Sequence, residues 1–169
     1  GFILGLAIDG RGNIYACDIS NKAVMKITST GVVSVYSIGV SGEPFTTPNY
    51  PSFDAYGNLY VSDSGDWKAD SGRIYKIGPG GLGEVWDRRP STFPNGNCMG
   101  LDGKWLYVAM SVNPPRVDRI KIEDDGSPGS QETVVELPGT VPDGVAFDTE
   151  GNLYISMYRS WPLRCDFFY

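Results

Sequence analysis

From Val141 to Ser156 the chain alternates apolar and polar positions up to Phe147, breaks at Asp-Thr-Glu-Gly-Asn, and resumes alternating from Leu153. Alternation on both sides of a Gly/Asn turn predicts a β-hairpin. The same pattern occurs three times earlier in the chain. The apolar residues that close each first run, Ile8, Phe53, Met99 and Phe147, lie 45, 46 and 48 residues apart, with a longer turn, Gly100 to Lys104, after Met99. A period near forty-five with several strand signals per unit predicts propeller blades.

Within each unit further short apolar runs follow the hairpin, as in Ala23 to Ile27 and Arg73 to Ile77, separated by turns such as Ser29-Thr30-Gly31. The expected fold is therefore all-β: one partial β-propeller domain over 1–169, with units at 4–37, 48–89, 94–138 and 142–169. The chain supplies about three and a half to four four-stranded blades, because Arg159 to Tyr169 has no turn glycine and carries Pro162 in its middle. No window of a dozen residues shows helical periodicity free of Gly or Pro. A partial ring leaves two blade edges open, and such edges predict self-association.

Composition narrows the chemistry more than the fold. The chain has no histidine, which excludes imidazole general bases, Ser-His-Asp and Cys-His relays and His-ligated zinc. Its net charge of −6 argues against nucleic acid or an anionic membrane as partner. Cys17, Cys98 and Cys165 are odd in number and lack Cys-x-x-Cys spacing, so buried structural thiols are favoured over a disulfide framework. No run is long and apolar enough for a membrane span and no signal peptide is visible, which favours the cytoplasm without fixing a compartment. The chain opens on Gly1 rather than Met, consistent with a processed or fragmentary start.

Several segments carry a family resemblance. They are Leu4-Gly-Leu-Ala-Ile-Asp, Pro48-Asn-Tyr-Pro-Ser-Phe-Asp-Ala-Tyr-Gly-Asn-Leu-Tyr-Val-Ser-Asp, Gly72-Arg-Ile-Tyr-Lys-Ile, Phe93-Pro-Asn-Gly, Leu106-Tyr-Val-Ala and Pro142-Asp-Gly-Val-Ala-Phe-Asp-Thr-Glu-Gly-Asn-Leu-Tyr-Ile-Ser. In these the chain resembles the senescence marker protein, gluconolactonase and luciferin-regenerating enzyme family, six-bladed propellers that are typically metal-dependent lactone hydrolases. The resemblance implies that Asn49, Asn95 and Asp143 are metal ligands and that Asp143 is also the catalytic acid/base. It implies Ca²⁺ as the cofactor, with Zn²⁺ or Mg²⁺ as alternatives, and a small lactone or ester as substrate.

Independently, Asn49, Asn95 and Asp143 each sit four residues before the aligned apolar position of their unit. In a propeller that place on the innermost strand faces the central channel, and Asn and Asp oxygens suit a hard cation. Read alone, Asn95-Gly96 and Asp143-Gly144 are turn dipeptides; the phase of the repeat moves them to the channel. Unit one carries Leu4 at this phase.

Asn97, two residues beyond Asn95, and Trp67, in the long loop Asp63 to Gly72, are the substrate-contact candidates. By contrast Asp9, Asp54, Asp102 and Asp148, with the following Gly-Asn pairs, read as turn chemistry. Tyr15, Tyr60, Tyr107 and Tyr154 read as packing between blades. The leading expectation is a metal-dependent lactone or ester hydrolase. A non-catalytic propeller segment that binds a ligand or protein, and a strictosidine-synthase-like relative, are the alternatives.

Overall fold

The computed structural model describes residues 1–158. Sixteen strands occur among them: β1 (Ile3–Ile8), β2 (Ile14–Asp18), β3 (Ala23–Ile27), β4 (Val33–Ser37), β5 (Gly39–Val40), β6 (Glu43–Pro44), β7 (Pro48–Phe53), β8 (Leu59–Asp63), β9 (Arg73–Ile77), β10 (Gly83–Asp87), β11 (Pro94–Met99), β12 (Trp105–Met110), β13 (Arg116–Ile122), β14 (Pro128–Glu136), β15 (Val141–Phe147) and β16 (Leu153–Tyr158). Fourteen of them form three four-stranded antiparallel blades, β1 to β4, β7 to β10 and β11 to β14, and the opening hairpin β15-β16 of a fourth. The fold is all-β and propeller-type. The irregular stretch Arg159 to Tyr169 and Cys165 lie outside the described residues. Among the described residues no helix is long and apolar enough to cross a membrane.

The hairpin turns form as their residue types dictate. Asp9 Oδ1 accepts from the backbone N–H groups of Arg11 and Asn13, and its Oδ2 accepts from Asn13 Nδ2 at 2.7 Å. Asp54 with Tyr56 and Asn58, and Asp148 with Glu150 and Asn152, repeat the arrangement. Each carboxylate thus replaces the backbone partners that the reversing chain lacks.

The blades stack through apolar faces. Tyr15, Cys17 and Val24 of the first blade pack with Leu59, Val61, Tyr75 and Ile77 of the second, and Tyr60 and Ile74 of the second pack with Leu106, Val108 and Ile120 of the third. Tyr15 meets Phe53 edge to face at 4.9 Å between ring centres, and Tyr107 meets Phe147 likewise at 4.8 Å. Burial holds the Cys17 thiol protonated and pushes Cys98 up to about 12, so neither is a reactive thiolate.

One element escaped the repeat pattern. The two-residue strands β5 and β6 form a small hairpin between the first two blades. It carries Phe45, 1% exposed, into contact with Tyr75, and Glu43 of the hairpin accepts from both Arg73 and Arg88.

Candidate metal and lactone site

The four innermost strands β1, β7, β11 and β15 lie side by side, β1 against β7, β7 against β11 and β11 against β15. Close approach demands glycine at two of these contacts. A Cβ on Gly5 would lie 2.7 Å from the Asn49 carbonyl oxygen, and one on Gly96 would strike the Asp143 carbonyl.

Each innermost strand also carries an irregularity in the same place. The register slips between Ile3 and Leu6, Pro48 and Tyr50, Pro94 and Asn97, and Pro142 and Val145. A bulge re-aims the side chain it contains. Here it contains Leu4, Asn49, Asn95 and Asp143, and all four line one cavity of about 600 Å³ together with Phe93 and Tyr50.

Hydrogen bonds fix which amide atom of each asparagine faces that cavity. Ser64 Oγ donates to the Pro94 carbonyl at 2.7 Å, so its lone pair must serve the second neighbour, Asn49, whose Nδ2 donates to it at 2.9 Å. Ser111 Oγ likewise donates to the Pro142 carbonyl at 2.7 Å and accepts from Asn95 Nδ2 at 3.2 Å. With both NH₂ groups engaged, the two Oδ1 atoms are turned away from the serines. Among the described residues neither Oδ1 accepts a hydrogen bond, whereas the Asp143 carboxylate has the Asn95 amide beside it.

Asp143 is open to solvent along the cavity, yet the protein around its carboxyl is dense enough to raise its pKa above the ordinary 3.8. Desolvation is the cause, and the Asn95 amide beside it works in the opposite direction. At Gly144 the bulge is closed by Ser156 Oγ, which accepts from the Gly144 N–H at 2.8 Å. Ser62 plays the same part for the Tyr50 N–H at 3.2 Å.

The structure separates the substrate-contact candidates. Asn97 is 0% exposed and does not reach the cavity. Its Oδ1 accepts from Ser52, and its Nδ2 donates to the Tyr50 carbonyl at 2.7 Å, tying the second blade to the third. This corrects the substrate-contact reading of Asn97. Simple alternation from Asn95 to Asn97 keeps both on one side, but the intervening bulge turns Asn97 inward.

Trp67 is 53% exposed and packs edge to face on Phe93 at 4.4 Å, so it stands at the rim, one side chain away from the cavity. Ser64, Ser111, Phe93 and Tyr50 were not singled out from the sequence. The available signal was the serine that follows the second strand of both asparagine-bearing units, in Val-Ser-Asp-Ser and Val-Ala-Met-Ser.

A larger hollow of about 680 Å³ lies at the turn end of the first two blades, lined by Tyr15, Lys26 and Tyr36 among others. Its carboxylates, Asp9 and Asp54, are already committed to their own turns. The smaller cavity is the one with uncommitted oxygens. No group of three His, Cys, Asp or Glu that could hold a metal occurs among the described residues, so any cation here would rest on the asparagine carbonyls as well as on Asp143.

Comparison with known proteins gives a consistent picture. The chain is 25% identical over 173 residues to a gluconolactonase of Zymomonas mobilis, covering 90% of this chain and 48% of that protein. It is 26% identical over 170 residues to the protein strictosidine synthase-like 3 of Arabidopsis thaliana, covering 92% and 42% respectively. Among solved structures, a gluconolactonase from Xanthomonas campestris superposes with a TM-score of 0.80 at 19% identity, over 94% of this chain and 59% of that one. A luciferin-regenerating enzyme superposes with a TM-score of 0.66 at 23% identity, over 94% and 55%. The chain spans less than half the length of the two relatives named first. The family described as SMP-30/Gluconolactonase/LRE-like region matches residues 3–165, and the chain belongs to that family.

Proposed function

We propose that this chain carries one wall of the site of a lactonase-type hydrolase that acts on small lactones or related esters. The observation that supports this most is that Asn49, Asn95 and Asp143 line one cavity, with the two asparagine Oδ1 atoms turned away from the serines that hold their NH₂ groups. Two relatives are named as lactone-cleaving enzymes, a gluconolactonase and a lactonase.

The donor set fits a hard divalent cation of the Ca²⁺ type. Amide and carboxylate oxygens are its ordinary ligands, and three of the six to eight it takes would come from these residues. When bound, such an ion polarises a carbonyl oxygen and makes a nearby water more acidic. The chain's own residues do the rest. Asn49 and Asn95 present their carbonyls because Ser64 and Ser111 hold their NH₂ groups back. Asp143 takes the proton of the attacking water and returns it to the leaving ring oxygen. Phe93 and Trp67 form an aromatic rim that keeps bulk water from one side.

The 169-residue chain, supplied with Ca²⁺ and an aldonolactone, is expected to open the lactone faster than buffer, and both chelation and Asp143→Ala are expected to remove that excess. Hydrolysis that persists in chelator, or that Asp143→Ala leaves unchanged, contradicts the reading. A second reading, binding of the ligand without hydrolysis, draws support from Leu4, which puts an apolar side chain on the first blade where the other three offer oxygen. Cation-dependent lactone binding without turnover would favour it.

A further inference from the structure

Three units of the repeat place one residue ahead of a Pro-Asn or Pro-Asp pair at the head of the innermost strand: Thr47-Pro48-Asn49, Phe93-Pro94-Asn95 and Val141-Pro142-Asp143. A residue before proline is ordinarily extended, with φ at about −120°. Glycines aside, only Lys22, Phe93 and Asn113 have positive φ among the described residues, so Thr47 and Val141 are not left-handed while Phe93, at φ 57°, is. The repeat therefore does not demand this conformation; the third unit alone adopts it. For a bulky aromatic next to proline it is a strained one.

The surroundings hold that strain in place. The Phe93 N–H donates to the Ser91 carbonyl at 3.1 Å, and the Phe93 carbonyl accepts from the Ser111 N–H at 3.2 Å. Ser91 is itself anchored, its carbonyl accepting from the Gly72 N–H at 3.0 Å, and Pro94 lies so close to Gly72 that a Cβ there would strike its ring. Thr92, between Ser91 and Phe93, keeps a buried hydroxyl with no hydrogen-bond partner among the described residues.

The ring so placed does not serve a blade core. Phe93 is half-buried, takes no part in the three apolar clusters between the blades, and meets Trp67 edge to face. It lines the cavity that Asn49, Asn95 and Asp143 also line. Backbone strain persists where the surrounding structure over-determines it, and it concentrates at ligand clamps.

We propose that Phe93, backed by Trp67, is the specificity-determining surface of this cavity: its ring packs against a hydrocarbon substituent of the lactone or ester, so alkyl-bearing rings are taken in preference to bare ones. The inference rests on the lactonase reading for the ring and adds the substituent. Only Pro94 separates Phe93 from Asn95 along the chain, so the apolar surface and an oxygen donor share one short segment.

Calorimetric binding of two lactams to the 169-residue chain with Ca²⁺ tests it, δ-valerolactam and its pentyl-substituted derivative, because an amide ring enters the cavity without being opened. The wild type is expected to bind the pentyl lactam about tenfold more tightly. Phe93→Gly, whose backbone accepts positive φ without strain, is expected to erase that preference while still unfolding cooperatively. Phe93→Leu, which keeps an apolar side chain, is expected to retain part of it. A wild type that binds neither lactam, or both alike, overturns the inference, and so does a Phe93→Gly variant that keeps the preference. Turnover of the corresponding lactones separates this inference from the hydrolase reading. Preferential binding of the pentyl lactam with neither lactone opened supports the aromatic surface and contradicts hydrolysis; opening of both lactones with equal kcat/KM does the reverse.

Discussion

The innermost strand of the first blade and those of the second and third share a bulge and a place on the channel, but not a chemistry. In the second and third, the bulged residue is Asn49 or Asn95, and a serine after the following strand, Ser64 or Ser111, orients its amide. In the first, the bulged residue is Leu4 and the residue after the second strand is Ile19. Both halves of the pair change together. The backbone that aims a side chain into the channel is therefore a property of the repeat, whereas the presentation of an oxygen needs two side chains far apart in sequence. The serine also joins blades, since its hydroxyl proton goes to the proline that precedes the bulged residue of the next innermost strand, Pro94 or Pro142. Site geometry and blade stacking rest on the same atom.

The serine strut can be broken directly. Ser64→Ala removes the donor to the buried Pro94 carbonyl and the acceptor for Asn49, and a lost buried partner of this kind costs about 1–3 kcal/mol. Denaturant unfolding is expected to register that loss, and cation affinity is expected to fall with it because the Asn49 amide is then free to flip. Asn97→Ala should cost stability on a similar scale, about 1–3 kcal/mol, by removing the acceptor for Ser52 and one donor to the Tyr50 carbonyl, while leaving cation affinity unchanged. Equal effects of the two variants on affinity would erase the distinction between a ligand's support and a strut.

The first blade can also be given the oxygen it lacks. Leu4→Glu gives the first blade an oxygen donor at the same bulge, and calcium affinity rises with ligand charge. A gain of roughly tenfold or more, about 1.4 kcal/mol, is expected in a calcium titration. No gain would mean that the Leu4 position does not look onto the same ion as Asn49, Asn95 and Asp143.

The smallest expected effect lies in the turns, away from the channel. Hydrogen bonds led by the Asn13 side chain lower Asp9 from 3.8 to about 2. Because the folded-state value is the depressed one, the stabilisation is present above pH 3.8 and is lost as pH falls toward 2. Asp9→Asn is expected to flatten the acid limb of stability in that window slightly and to leave neutral-pH cation binding untouched. An acid limb identical to that of the wild type would show that the turn carboxylate contributes nothing.

Much of this was legible in the amino-acid sequence because it depends on short-range pattern. The apolar residue at Ile8, Phe53, Met99 and Phe147 sets the phase of each innermost strand, and that phase brought Asn49, Asn95 and Asp143 to one cavity. The Asp-Asn turns follow from contacts within four residues. What stayed hidden depends on distance or on a break in the pattern. Ser64 meets Pro94 thirty residues away, and nothing in a single repeat announces that bond. Asn97 shares the alternation of Asn95 until a bulge between them cancels it. The β5-β6 hairpin and Phe45 form a linker that belongs to no repeat, so periodicity gives no access to them.

If Asn49, Asn95 and Asp143 together hold one hard cation, as proposed, calorimetric titration of Ca²⁺ onto the wild type and Asp143→Asn will register it. The wild type is expected to bind one ion per chain, and Asp143→Asn, which keeps the shape and removes the only charge of the set, is expected to weaken binding at least tenfold with unchanged unfolding. No calcium binding by the wild type, or equal binding by the two proteins, would contradict the account.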